Sequence, residues 1–409
     1  MRPLWLEGLD NATLVQAIDR AWRQTEWLFS GVDPDALHEQ PDPLRNPLIF
    51  YVGHTAAFSL NKLGLAGLAE PLDAELQQLF AVGVDPATAA DLDRSALYPG
   101  LDEVQAFRDA AKERVLAAAR ACDLGGLGWE HPGWALLMGL NHDLIHFETS
   151  SVLIRQLGAD RVRPPTGWTH AASLGVAPDN APVEVPGGQV ILGKPDAVKT
   201  YSWDNELGQR RVQVAPFKAS RQLVSNAEWL RFVQDGGPVP AFWRREGDRW
   251  IWRGVFQERE LPLDWPAEVT HEQASAYCAW IGARLPTEAE HARLAWDAPR
   301  ERGDSAFHPA HHLHLASCSP RPVHAGQPTP SGLHDPYGNV WQWLDQDFAP
   351  LPGFKTHPWY EDFSTLYFGP DHQMLAGGSW ASMGTSASQH YRLWFRPFFV
   401  QHAGFRLAW

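Results

Sequence analysis

Cysteine is nearly missing from this chain: there are three in 409 residues, Cys122, Cys278 and Cys318, odd in number and far apart. That scarcity argues against a disulfide framework and a cysteine-based zinc knuckle, and it points to a reducing compartment. Runs of Lys or Arg are lacking as well. The 34 basic residues stand against 48 acidic ones, for a net charge of −14. Such a balance speaks against a nucleic-acid footprint and against an anionic membrane surface as partner. No apolar run reaches transmembrane length. The opening MRPLWLEGLDNATLV has neither the basic start nor the apolar centre of a signal peptide. The expectation is a cytoplasmic protein with no nucleic-acid or membrane partner.

What the chain does have is tryptophan, 20 of them. Most are expected in the core, because Trp buries a large area, and a share are expected to line a pocket for a planar or cationic ligand. The length exceeds one ordinary core and predicts two domains. Helical periodicity marks residues 11–29, 47–68, 73–80 and 101–122, with a further helix over 131–158, which together predict an up-and-down bundle over 1–160. Residues 161–182, rich in Pro, Gly and small side chains, read as the linker. Short strand-like pieces with turns fill 183–409. Ser225–Glu228 and Thr287–Glu290 fit the capping box. The His-rich stretch around His308, His311, His312 and His314 has no periodic scaffold and reads as a solvated loop.

The stretch HPGWALLMGLNHDLIHFETSSVLIRQLG carries the first chemical signal. His142 and His146, four residues apart, project from one helical face and can share a divalent metal. Alternatively they are half-buried histidines satisfied by hydrogen bonds. His54 adds a third imidazole, mid-helix in PLIFYVGHTAAFSLNKLGL, where Asn46 is the expected N-cap and Pro47 the first helical residue. One His from one helix and two from another is how a bundle builds an interior metal site. Asp143 and Glu148 turn away from the shared face and read as supporting or surface residues rather than ligands. Three imidazoles by themselves accept zinc, nickel, copper or iron.

Five motifs in the second half follow in order: Val185-Pro186-Gly187-Gly188, Gly282 to Glu290 (GARLPTEAE), Gly338 to Trp343 (GNVWQW), Gly377-Gly378-Ser379-Trp380 and Gly404 to Ala408 (GFRLA). They resemble the formylglycine-generating-enzyme (sulfatase-modifying-factor) domain, a C-type-lectin-like fold. A helical domain ahead of it, with one His followed by His142-x3-His146-x-Glu148, is similar to the non-haem iron sulfoxide synthases, whose first part is a DinB-like bundle. The resemblance therefore implies an α+β protein, a DinB-like four-helix bundle followed by a C-type-lectin-like domain. It implies Fe(II) held by His54, His142 and His146, O2 as co-substrate, and attachment of a chalcogen to imidazole C2 of hercynine. The family's paired cysteines of formylglycine generation have no counterpart here.

By the same resemblance Tyr360, in the segment Pro352 to Tyr360, is the candidate proton or electron donor. Trp380, Phe398 and Phe399 are candidate substrate-lining groups, although the resemblance also implies that the motif tryptophans Trp341, Trp343 and Trp380 are mainly structural and buried. Arg392 and Arg396 are candidates to pair with the betaine carboxylate, or else form structural pairs. Gln342 replaces the usual Glu of GNVWEW and is expected to alter a structural hydrogen bond. Members of the family that use γ-glutamylcysteine or cysteine need cations for the donor's carboxylates. Here the corresponding stretch VDPATAADLDRSALYPGLDEV carries Asp85, Asp91, Asp93 and Asp102 but one Arg, Arg94, with Tyr98 before Pro99. Near the end, Pro397 stands where the family has Asn. Both departures favour a neutral donor, a selenosugar, as in the selenoneine synthase branch. The alternatives are an ergothioneine-type synthase using an amino-acid thiol, a zinc-dependent DinB-like thiol transferase, and a lectin-like binding module without turnover.

Overall fold

The computed structural model describes residues 1–81, 83, 85–91, 97–298, 300, 302–304 and 306–409. Asp93 and Arg94 of the acidic stretch lie outside them. The first part is helical: α1 Asn11–Phe29, α2 Leu48–Leu65, α3 Ala74–Leu79, α4 Leu101–Ala121 and α5 Trp134–Arg155. Helix α2 packs on α4 and α5, and α1 packs on the same two, which closes a four-helix bundle with α3 on its flank.

The helix ends show what the periodicity could not place. Asp10 and Asp73 cap α1 and α3 by accepting from Thr13 N and Leu76 N. Asn46 does not cap α2, contrary to expectation. Pro47 has an extended ψ of 157° and occupies the cap position itself, so the helix begins one residue later. At its other end α2 stops at Leu65. Gly67 adopts a left-handed φ of 69°, and the Leu68 and Gly67 amides turn back onto the carbonyls of Leu63 and Gly64. Helix α5 is shorter at both ends than expected, since residues 131–133 form a turn ahead of it.

Beyond the bundle come β1 Pro182–Val185, β2 Gly188–Leu192, β3 Arg210–Val214, β4 Phe217–Ser220, α6 Asn226–Gln234, β5 Trp243–Glu246, β6 Arg249–Arg253 and β7 Glu258–Glu260. They are followed by α7 His271–Ile281, α8 Glu288–Leu294, β8 Trp341–Phe348, β9 Gly369–Ala376, β10 Leu393–Phe395 and β11 Ala403–Gly404. The central sheet has the order β10-β9-β8-β11, with β11 parallel to β8, and smaller sheets pair β1 with β4, β2 with β3, and β5-β6-β7. Both expected capping boxes form, with Ser225 and Thr287 accepting from Glu228 N and Glu290 N. The His-rich stretch is not a solvated loop. His312 is buried, its ring meets Ser317 and Ser319, and its carbonyl accepts from Asn339 N at 2.9 Å.

The two halves share one continuous hydrophobic core, and α5 lies in the middle of it. This explains why α5 is apolar on nearly every side: one face packs into the bundle and the opposite face into the second domain. The second face carries polar ties at Glu148, Ser151 and Arg155, spaced three and four residues apart. Glu148 accepts from Trp341 Nε1 at 2.7 Å, from Ser382 Oγ at 2.8 Å and from Ser379 Oγ. Ser151 Oγ meets His402 Nε2 at 2.8 Å. Arg155 forms a bidentate pair with Glu268 at 2.6 and 2.7 Å, and both side chains are buried. Burial alone would raise the Glu268 pKa, but Arg155 and His402 hold it down to about 2.

Removing one partner of a buried bidentate pair strands the other charge in a dry interior. Arg155→Met should therefore destabilise the protein by about 3–5 kcal/mol in urea unfolding; a loss under 1 kcal/mol would show that the pair contributes little to joining the halves.

Acid should weaken the fold well above the carboxylate range. Burial holds His170 and His312 neutral down to about 4, and His291 and His390 down to about 3. Unfolded histidines bind protons near pH 6.5, so the unfolded chain gains protons first as pH falls, and stability drops from there toward pH 4. Asp143, Asp204 and Asp304, lifted by burial to about 6, and Glu206, lifted to about 7, act in the opposite sense. They are outnumbered once His54 and His314, lowered to about 4 and about 3, join the histidines. The histidines win. Calorimetry on metal-stripped protein should show Tm lower at pH 4.5 than at pH 7 by roughly 5–10 °C, at a few degrees per kcal/mol for a chain of this size.

Candidate metal centre

The face of α5 opposite Glu148 presents His142 and His146 to α2, where His54 completes the set. One ring nitrogen from each lies within 4.8 Å of the other two. His54 Nδ1 donates to the Phe80 carbonyl at 2.7 Å, which fixes the tautomer and leaves Nε2 bare toward the other imidazoles. Gly53 makes this contact possible, because a Cβ there would stand 2.7 Å from the Phe80 ring. His142 is sandwiched flat against Phe58, centroids 3.5 Å apart and planes within 3°.

Both nitrogens of His142 and Nδ1 of His146 are buried without a hydrogen-bond partner. A buried polar atom left unpaired costs about 1–3 kcal/mol, so three in one cluster demand an explanation. Burial drives the His54 pKa down to about 4 and pushes His142 and His146 well below the usual histidine range, their mutual repulsion adding to it. Three neutral, desolvated and converging imidazoles fit a divalent metal ion. Asp143 is buried on the bundle side near Arg108, where burial lifts it to about 6. It and Glu148, already saturated by second-domain donors, stand outside the ligand cluster.

Helix α2 carries more of the site than His54. Phe58 and Lys62 follow at one and two turns, on the same face. Lys62 Nζ donates to the Trp359 carbonyl at 2.5 Å and lies 4.2 Å from the Tyr360 ring centroid. Burial lowers its pKa to about 8. Tyr360 thereby reaches the site from the second domain. Its ring is 5.0 Å from Phe58 and 6.3 Å from His142, and burial, with nearby acids, raises its pKa so that the phenol keeps its proton.

A cavity of about 160 Å³ opens beside His146, lined among others by Tyr51, Arg45, Phe395, Phe399 and Gln401. Its described aromatic lining is thus Tyr and Phe, not the expected Trp. Of the residues nominated from sequence, the structure gathers the three histidines, Tyr360 and Phe399 around this centre. Phe398 is 40% exposed and stacks on Phe399. Trp380 is buried in the core between Trp168 and His402. Arg392 is buried in a pair with Glu288 at 2.6 Å. Arg396 meets Asp85 at 3.1 Å. Gln342 donates to the carbonyls of Asp335 and Pro336, which a Glu could not do. Lys62, Phe58 and Arg45 escaped the sequence reading, although the first two share the four-residue spacing that starts at His54.

The chain matches the sulfatase-modifying factor enzyme 1-like domain over residues 174–409 and the DinB superfamily over 17–150. It is 31% identical to a hercynine oxygenase of Mycolicibacterium smegmatis, with 97% of each chain covered. The chain belongs to the hercynine oxygenase family. A second hercynine oxygenase, from Mycolicibacterium thermoresistibile, is 31% identical over 97% of this chain and 93% of the relative. Ergothioneine biosynthesis protein 1 of Neurospora crassa is 24% identical over 85% of this chain and 52% of its own length.

His54→Ala should lower the affinity for Fe(II) or Zn(II) at least 100-fold in a chelator competition at pH 7. Gly53→Ala, which displaces the Phe80 carbonyl from His54, should cost about 10–100-fold, as loss of an orienting partner does elsewhere. Unchanged affinity in both variants would remove the metal centre from consideration.

Proposed function

We propose that this protein uses Fe(II) and O2 to form a carbon–selenium bond at imidazole C2 of hercynine, with a selenosugar as donor and a selenoneine-type product. The observation that carries the metal-dependent part is the three-imidazole cluster, with His142 and His146 Nδ1 unpaired, beside an aromatic cavity between the two domains. Relatives named for hercynine oxygenation support hercynine as the acceptor. When bound, iron supplies O2 activation and open positions for an imidazole nitrogen and a soft chalcogenolate.

The chain's own residues then have separable tasks. His54, His142 and His146 hold the metal. Tyr51, Phe395 and Phe399 offer aromatic faces to the trimethylammonium group. Tyr360 keeps a proton on its phenol oxygen beside the centre, and Lys62 holds the segment that carries it. Phe58 and Tyr360 screen His142 from water. The donor reading rests on the acidic stretch, whose Asp85 sits on Arg396 and near Arg45. The same two guanidinium groups favour one second reading, an ergothioneine-type synthase whose amino-acid thiol donor would pair with them.

O2 uptake and product mass, on anaerobically Fe(II)-loaded protein given hercynine, decide between these. Uptake with a selenium-bearing product from the selenosugar alone is the expected result. Turnover with γ-glutamylcysteine instead would favour the second reading, and no uptake with either donor would favour a zinc-dependent thiol transferase.

A further inference from the structure

One basic side chain, Arg45, stands in the wall beside His146 and connects it to a buried polar cluster behind Phe399. Arg45, from the segment ahead of α2, lines the cavity with its guanidinium 3.9 Å above the Phe399 ring. Arg396 follows β10 and His372 lies within β9. All three converge on one carboxylate. Asp85 Oδ2 lies 2.8 Å from His372 Nε2 and 3.1 Å from Arg396 Nε, and its Oδ1 lies 3.8 Å from Arg45 Nη1. A second nitrogen of Arg396 reaches the Asp85 carbonyl at 3.1 Å. Burial would raise the Asp85 pKa, but the His372 hydrogen bond and the two arginines hold it below the ordinary value, so the group is anionic at neutral pH.

Two guanidinium groups thus meet one carboxylate, and the one on the cavity wall, Arg45, is of the kind that receives a ligand's carboxylate. The carboxylate comes from a connecting segment between α3 and α4, not from a packed element, so it is the replaceable member of the cluster. We propose that Asp85 is a specificity-determining residue, a built-in carboxylate that occupies the Arg45–Arg396 pair and thereby excludes donors bearing carboxylates of their own. Neutral, hydroxyl-rich donors lose nothing by this occupation. Anionic thiols meet a site already filled by a like charge. The inference rests on the proposed function, with the donor entering on the Arg45 side of the cavity whose aromatic walls receive the acceptor.

The test is calorimetric titration of γ-glutamylcysteine, and of glutarate as a thiol-free dicarboxylate, into the full chain and its variants at low ionic strength. Asp85→Ala and the isosteric Asp85→Asn should bind both ligands at least tenfold more tightly than the parent, and Asp85→Glu should not. Adding Arg396→Met to either gaining variant should abolish the gain. Should Asp85→Ala fail to fold, Asp85→Asn reads the same difference. Equal affinities in the parent and both neutral variants would overturn the proposal, as would a gain that survives Arg396→Met. The titration needs neither metal nor O2. A failure of turnover with every donor therefore counts against the functional reading alone, and absence of the binding gain counts against Asp85 alone.

Discussion

A carboxylate inside a protein must be surrounded by donors, and in this molecule that requirement falls on Glu148. Three side chains of the second domain satisfy it: the Trp341 indole and the Ser379 and Ser382 hydroxyls. Two of them belong to the Gly-rich motifs at 338–343 and 377–380. Those motifs therefore do more than shape turns. They deliver donors to a helix of the other domain, and they fix the rotation of α5 about its own axis. Since His146 precedes Glu148 by two residues, the opposite face of the helix is then aimed at α2. The orientation of the histidine face and the domain interface are set by one interaction.

On that opposite face the physics reverses. Glu148 is buried and satisfied, whereas both ring nitrogens of His142 and the Nδ1 of half-buried His146 are shut off from water and unsatisfied. Desolvation keeps all three imidazoles neutral, which removes proton competition for their lone pairs. The α2 stripe of His54, Phe58 and Lys62 then supports the cluster in three ways: as third imidazole, as stacking surface for His142, and as tether for the segment bearing Tyr360. A single helix face thus reaches both the imidazole cluster and the Tyr360 segment of the second domain.

Charge near the cavity is arranged by a different rule. Arg392 and Arg396 look equivalent in sequence, four residues apart near the end of the chain. Arg392 is buried against Glu288, and Arg396 meets a carboxylate from the far half of the protein, 311 positions away in sequence. Their partners lie in other elements, so local sequence carries no sign of the difference.

The sequence by itself determined the bundle, the capping boxes, the order of the two halves and the three histidines. Each of these depends on spacing within one segment or on motifs in a fixed order, and helical periodicity makes such spacing directly visible. Tertiary structure alone decided the rest. It turned a nominally solvated His-rich stretch into a buried brace, because Gly338 and Asn339 pack across His312. It gave the cavity Tyr and Phe walls. It brought Lys62 beside Tyr360 and Asp85 onto Arg396. These are contacts between residues hundreds of positions apart, whose pairing follows from how two amphipathic surfaces cover α5, and no local pattern records which distant side chain will fill a given place.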